Sequence, residues 1–217
     1  MLQHERQDQG PSRLTVACVL KSGGIYDPFH VFRLQLQVAA HLKRPYRFVC
    51  LADMKPECET IPLARDWPGW WSKICLFKPG QFTGRVLYLD LDVSIVGPLE
   101  PFFDFPTPFA AIADYQFPLQ INSSVMAWDA GHADHLFTGF TPDVIGRFHG
   151  DQNYIFERQH DIARFPRRWC PSYRAHVVPN GDKVPEGAKI AVFHGQPKPW
   201  DLPAGHWAND VARQAVA

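Results

Sequence analysis

Two carboxylates close an apolar run in Leu87-Tyr88-Leu89-Asp90-Leu91-Asp92. A buried strand cannot end in two ionised carboxylates without compensation, because taking unpaired charge out of water is costly. Residues two apart on a strand face the same side, so Asp90 and Asp92 can converge on one hard cation. Mg2+ or Mn2+ suits such a pair: one or two carboxylates, several waters and the oxygens of a bound diphosphate complete the coordination. An isolated Asp-x-Asp is more often a strand cap or a partner for Arg or Lys, so the pair alone decides nothing. Lys73 adds a second charge in need of a partner, because it sits in the apolar stretch Trp70-Trp71-Ser72-Lys73-Ile74-Cys75-Leu76-Phe77. A donor sugar, a phosphate or Asp90 would serve, and so would a salt bridge with no functional consequence.

The elements around these residues set where they point. Leu14–Leu20 reads as a buried strand, ended by Lys21-Ser22-Gly23-Gly24. Residues 29–42 carry Phe32, Leu36, Ala39 and Ala40 at helical spacing, and 46–52 form a second strand. Strand, helix, strand with a glycine-rich first turn begins a parallel α/β sheet, whose ligands bind at the carboxyl ends of the strands. A short helix over 70–77 leads into a strand over 85–90, and 92–96 continue as extended chain. Further strands are expected at Phe109–Ala113, 121–128 and 189–193, with helices at 131–140 and 151–159. The run Gly195-Gln196-Pro197-Lys198-Pro199 cannot be regular structure.

At 217 residues the chain suits one domain, expected over 13–217 behind a polar, disordered tail at 1–12. Lys+Arg and Asp+Glu balance at 22 each, so no global field favours nucleic acid or an acidic membrane, and an anionic ligand must be held by local groups. The five cysteines show no CxxC or Cys/His zinc spacing, which predicts buried free thiols in a reducing cytoplasm. No apolar stretch approaches the ~20 residues that span a bilayer, and the N-terminus lacks the apolar core of a signal peptide. A cytoplasmic protein without an integral membrane segment is expected.

A wider set of blocks gives the carboxylates a context. The passage from Arg85 to Asp92, followed by Val96-Gly97-Pro98-Leu99-Glu100-Pro101-Phe102-Phe103, resembles the DxD segment of GT-A glycosyltransferases. It is most similar to the family of glycogenin and the bacterial lipopolysaccharide glucosyl- and galactosyltransferases. Trp71-Ser72-Lys73-Ile74 matches that family's helix with a lysine ahead of the DxD strand. Ile121-Asn122-Ser123-Ser124-Val125-Met126 is similar to its Asn-Ser-Gly-Val block. Gly150-Asp151-Gln152-Asn153 resembles its Asp-Gln motif, and His194-Gly195-Gln196-Pro197-Lys198-Pro199-Trp200 its C-terminal motif. The blocks occur in the family's order from Leu14 to about Trp200.

The resemblance implies a single-domain GT-A fold, with a Rossmann-like, mostly parallel sheet flanked by helices. It also implies hexose transfer from a UDP-sugar to a hydroxyl acceptor (a glycan or small molecule), with retention of configuration. Asp92 and Asp90 would hold Mn2+ or Mg2+, Asp90 alternatively the donor ribose. His194 would be a third ligand, although it stands closer to Lys198 than the family usually places it, which leaves phosphate as its other partner. Lys198 would face the diphosphate; Asp151, Gln152 and Lys73 would line the reacting face. Asn122 and Ser123 would meet sugar hydroxyls, and Val19, Leu20, Leu91 and Gly195 the nucleotide, with Tyr26 stacked on the base. Lys21 is an alternative phosphate ligand.

Two other classes stay open on sequence. One is a nucleotide-sugar or glycan-binding protein without turnover, since Ser124 stands where the family has glycine. The other is a haloacid-dehalogenase-type phosphohydrolase, which also places Asp-x-Asp after an apolar strand but expects it near the N-terminus. Within Trp67-Pro68-Gly69-Trp70-Trp71, a tryptophan could stack on a sugar ring or pack beneath the sheet.

Overall fold

The computed structural model describes residues 14–209; the expected tail at 1–12 lies outside them. Nine strands are described: β1 (Leu14–Leu20), β2 (Arg47–Ala52), β3 (Glu59–Pro62), β4 (Arg85–Leu89), β5 (Val93–Ile95), β6 (Phe109–Ala113), β7 (Ile121–Asp129), β8 (Ala163–Arg164) and β9 (Ile190–Val192). The α-helices are α1 (Pro28–His41), α2 (Glu100–Phe103), α3 (His135–Thr138) and α4 (Asp151–Arg158), and a 3-10 helix spans Gly69–Phe77. Seven strands form one sheet in the order β3-β2-β1-β4-β7-β6-β8, while β5 and β9 pair separately. The β3-β2-β1-β4 half is parallel; β7 runs antiparallel to both β4 and β6, and β8 is parallel to β6. This is the expected mostly parallel α/β sheet.

Burial on both faces explains why β1 is apolar throughout. Val16, Cys18 and Leu20 pack with Val31, Leu34 and Val38 of α1 on one side. Ala17 and Val19 pack on the other with Trp71, Ile74 and Phe77 of the 3-10 helix. A 3-10 helix repeats every three residues, so Trp71, Ile74 and Phe77 form one buried stripe.

Helix α1 begins where Asp27 accepts a hydrogen bond from the backbone of Phe29 and His30 Nδ1 accepts one from the Asp27 N–H. Its inner face differs from the expected one. Phe32 is 45% exposed, whereas Val31, Arg33, Leu34, Gln37 and Val38 are buried. The polar pair faces inward because it satisfies buried groups across the molecule. Arg33 donates to the Val93 carbonyl (3.0 Å), Ser94 Oγ (2.9 Å) and the Ala208 carbonyl (2.6 Å), and Gln37 Oε1 accepts from the Ile95 N–H (2.6 Å). The buried face is itself periodic, with Val31, Leu34 and Val38 at helical spacing, and Arg33 and Gln37 join it through their hydrogen bonds to β5.

Other departures are local. The helix expected over 131–140 is regular only at α3, with turns before it, and β3 and β8 were not expected at all. Gly97 closes the turn after β5 against the backbone before β9: its N–H donates to the Lys189 carbonyl (3.1 Å), and a Cβ there would lie 2.8 Å from the Ala188 carbonyl oxygen. All five cysteines are free, and no described helix is long and apolar enough to cross a membrane.

Candidate active site

β4 ends at Leu89, so Asp90-Leu91-Asp92 forms a turn beyond the strand rather than its last residues. The strand alternation expected to align the carboxylates therefore does not apply. They are brought together because the turn opens into a cleft of about 810 Å3 at the carboxyl ends of β1 and β4. The Asp90 N–H donates to the Ser124 carbonyl (2.9 Å), which holds the turn against β7.

Each carboxylate has its own lysine. Lys73 Nζ lies 2.9 Å from Asp90 Oδ1 and 3.6 Å from Asp151 Oδ2, and also donates to Ser123 Oγ (3.3 Å). Lys198 Nζ donates to Asp92 Oδ2 (2.5 Å) and to the Phe193 carbonyl (3.2 Å). Two tyrosines complete the arrangement: Tyr88 donates to Asp90 (2.5 Å) and Tyr26 to Asp92 (2.9 Å). Ser123 Oγ donates to Asp151 Oδ2 (2.7 Å), tying α4 to β7.

The two aspartates are driven in opposite directions. Burial pushes the Asp90 carboxyl up, but the Lys73 charge and the hydrogen bonds from Tyr88 and Lys73 outweigh it and hold it below its ordinary value. Burial raises Asp92, the adjacent Asp90 charge raises it further, and Lys198 and Tyr26 only partly offset this. Asp151 is likewise raised by burial, against Lys73 and Ser123. Burial works against the Lys73 charge, yet Asp151 and Asp90 more than compensate and keep it firmly protonated.

The cleft wall brings together Val19, Tyr26, Lys73, Asp90, Leu91, Asp92, Ser123, Asp151, Gln152, His194, Gly195 and Lys198 of the expected residues. Leu20 and Asn122 are not in that wall. Leu20 is fully buried in the cluster beneath α1, because alternation along β1 sends it opposite to Val19. Asn122 Oδ1 accepts the Ser124 N–H (2.9 Å), so it shapes β7 from within. His194 Nε2 is paired with Ser172 Oγ (2.7 Å), its ring is stacked on Tyr115, and burial together with the Arg174 charge lowers its pKa. Tyr26, expected to stack on a base, commits its hydroxyl to Asp92 and sets its ring edge-on to Trp200. Lys21 is engaged at the rim by Asp53 and Asp66 (2.9 Å to the latter). Gly195 sits at φ +71°, and a Cβ there would press on Arg174 Nη1 at 3.2 Å.

Tyr88, Ser124, Ile25 and Trp70 also shape the cleft. Of these, Trp70 and Ser124 stand out in the sequence, the one in the tryptophan-rich run and the other in place of the family's glycine, whereas nothing in the sequence marks Tyr88 or Ile25.

No family model matches the chain. Over 88% of its length it is 23% identical to glycogenin of Neurospora crassa, and it spans only 29% of that protein. Its structure is similar to galactosyltransferase LgtC, solved in complex with donor and acceptor sugar analogues: TM-score 0.67, 14% identity, 93% of this chain and 95% of that one. It is also similar to the glycosyltransferase GlyE of Streptococcus pneumoniae TIGR4, with TM-score 0.70 and 14% identity over 96% of this chain and 61% of that one. The bifunctional glycosyltransferase WbbM aligns at TM-score 0.65 and 11% identity, over 94% of this chain and 50% of its own. The chain therefore has the GT-A glycosyltransferase fold and resembles glycogenin and the lipopolysaccharide-type glycosyltransferases.

Proposed function

We propose that the protein is a metal-dependent hexosyltransferase that uses a UDP-sugar donor and a hydroxyl acceptor. The observation that carries this reading is the floor of the cleft, where Asp90 and Asp92 stand side by side, each held by a lysine. Three carboxylates (Asp90, Asp92, Asp151) face two ammonium groups (Lys73, Lys198) there. A diphosphate entering that site would add further negative charge without compensation, so a divalent cation is needed to bind it.

The donor set suits such a cation. Among the described residues no three His, Cys, Asp or Glu side chains converge into a metal cage. Mg2+ and Mn2+ are commonly held by one or two carboxylates, with phosphate oxygens and water supplying the rest. Asp90 and Asp92 would hold the ion, which when bound would neutralise charge on the departing diphosphate. Lys198, which donates to Asp92 and the Phe193 carbonyl, would follow that charge toward the phosphates as the sugar leaves. Lys73 and Ser123 orient Asp151 at the cleft wall, and Gln152 stands beside it. Retention of configuration follows from the resemblance to the glycogenin-type enzymes. The fold likeness to glycosyltransferases, with the carboxylates after the fourth strand, supports this reading over a phosphohydrolase.

The test is release of UDP from a panel of UDP-hexoses with Mn2+, with GDP-hexoses as controls. UDP-sugar turnover that needs metal and falls at least a hundredfold in Asp92→Asn is expected. UDP binding with no release would indicate a binding protein, and undiminished metal-dependent turnover in Asp92→Asn would refute the site.

A further inference from the structure

Three tryptophans fall within five residues, and they have different fates. Trp67 and Trp71 are buried against Phe140, at 8% and 5% exposure. Trp70 is 58% exposed and forms part of the cleft wall. A large aromatic left open to water inside a concave site is informative in a way that a scattered surface leucine is not.

Its position follows from the helix that carries it. In a 3-10 helix, residues three apart eclipse one another, so Trp70 lies on the same face as Lys73. Lys73 reaches Asp90 and Asp151 on the cleft floor. At about 2.0 Å rise per residue, Trp70 stands one turn, ~6 Å, farther along that face. Its indole rests over Gly150, where an added Cβ would meet Nε1 at 3.5 Å. Gly150 is the N-cap of α4, whose first residue is Asp151, so the ring is seated on the element that presents Asp151. Gly69, at φ +52°, sets the turn into the helix.

The surrounding wall has the chemistry of a sugar site. Ile25, 60% exposed, adds apolar surface at the cleft, and His149, Gln152 and Asn153 bring polar groups. The Asn153 amide nitrogen donates to Gln120 (3.3 Å), while its Oδ1 is buried without a hydrogen-bond partner. A flat apolar face beside polar side chains matches a pyranose ring, which has a C–H face and a rim of hydroxyls.

We propose that Trp70 is the platform on which the acceptor pyranose stacks, with its hydroxyl directed toward the floor formed by Asp90, Asp92 and Asp151. This rests on the hexosyltransferase reading. A nucleobase is the other flat ligand the cleft would admit, but the floor lysines draw the diphosphate inward, and Trp70 shares its helix face with one of them.

The experiment is saturation-transfer NMR on the full chain with UDP and diamagnetic Mg2+, using the methyl glycosides of glucose, galactose, mannose and N-acetylglucosamine as probes. At least one should receive saturation on the ring protons of one face. Trp70→Ala should weaken it about tenfold or more, and Trp70→Phe should restore part of the loss. The UDP-induced rise in Tm should be the same in all three proteins. Transfer to none of the four sugars, or transfer unchanged in Trp70→Ala, overturns the proposal while an intact UDP response leaves the donor reading standing. A loss of the UDP response in Trp70→Ala alone would place the base on the indole and also overturn it. Absence of a UDP response in the wild type would instead refute the donor reading.

Discussion

Lys73 joins two buried carboxylates from different elements, and its removal gives a sharp prediction. In Lys73→Met the apolar stem is kept and only the ammonium is lost. The side chains of Lys73, Asp90 and Asp151 are 13%, 18% and 8% exposed, so solvent cannot take over the role of the missing charge. Removing one partner of a buried ion pair typically costs ~3–5 kcal/mol, because the remaining charge is left uncompensated. Two carboxylates are stranded here, at 2.9 and 3.6 Å from the lost nitrogen, so a loss in the upper part of that range is expected at pH 7. The loss has a distinctive pH dependence. Without Lys73 the folded-state affinities of Asp90 and Asp151 for protons rise, so the deficit is largest at neutral pH. It shrinks as pH falls into the range where both carboxyls take protons. Adding Asp151→Asn to Lys73→Met should recover ~1–2 kcal/mol, since one stranded charge is removed. Urea unfolding of the wild type and the single and double variants, across pH 5 to 8, measures all three quantities. A loss below about 1 kcal/mol at pH 7, or one independent of pH, would refute the claim that Lys73 is the counter-charge of this site.

Three further outcomes follow from other parts of the molecule. Gly97→Ala forces a Cβ to within 2.8 Å of the Ala188 carbonyl oxygen, so a destabilisation of ~1–3 kcal/mol is expected in urea unfolding. Asp53 is pushed up by burial but held down, to about 2, by hydrogen bonds from Lys21 and Ser22. It therefore stabilises the fold above the ordinary value of 3.8, and this is lost as pH falls through about 2; the stability gap between wild type and Asp53→Asn should close over that window. Lys198→Met removes the ammonium that Asp92 holds in the absence of ligand, so Mn2+ alone should bind the variant more tightly than wild type by titration calorimetry, while UDP should bind it more weakly.

Five of the seven sheet strands were legible as short apolar runs bounded by Gly, Pro and charge, Leu14–Leu20 to the residue, whereas β3 and β8 are short and carry no such run. Helix α1 was legible as a helix but not in its orientation. Arg33 and Gln37 turn inward to meet β5, a long-range hydrogen-bond demand that local periodicity does not contain. The floor of the site could be read from Asp90, Asp92 and Lys73. Asp90 was also open to view as a partner for Lys73, but the sharing of Lys73 with Asp151 and the pairing of Asp92 with Lys198 across 106 positions were not. Val19 and Leu20 differ for a local reason: adjacent on β1, they face opposite sides by strand alternation, and only Val19 reaches the cleft.

We propose that Asp90 and Asp92 hold a cation that joins a nucleoside diphosphate to the cleft, and anomalous diffraction at the manganese edge, from crystals soaked with UDP and Mn2+, would locate that ion. One peak between the two carboxylates, with the diphosphate on its open side and Lys198 drawn toward the phosphates, is the predicted result. UDP bound with no peak there, or manganese bound away from Asp92, would contradict it.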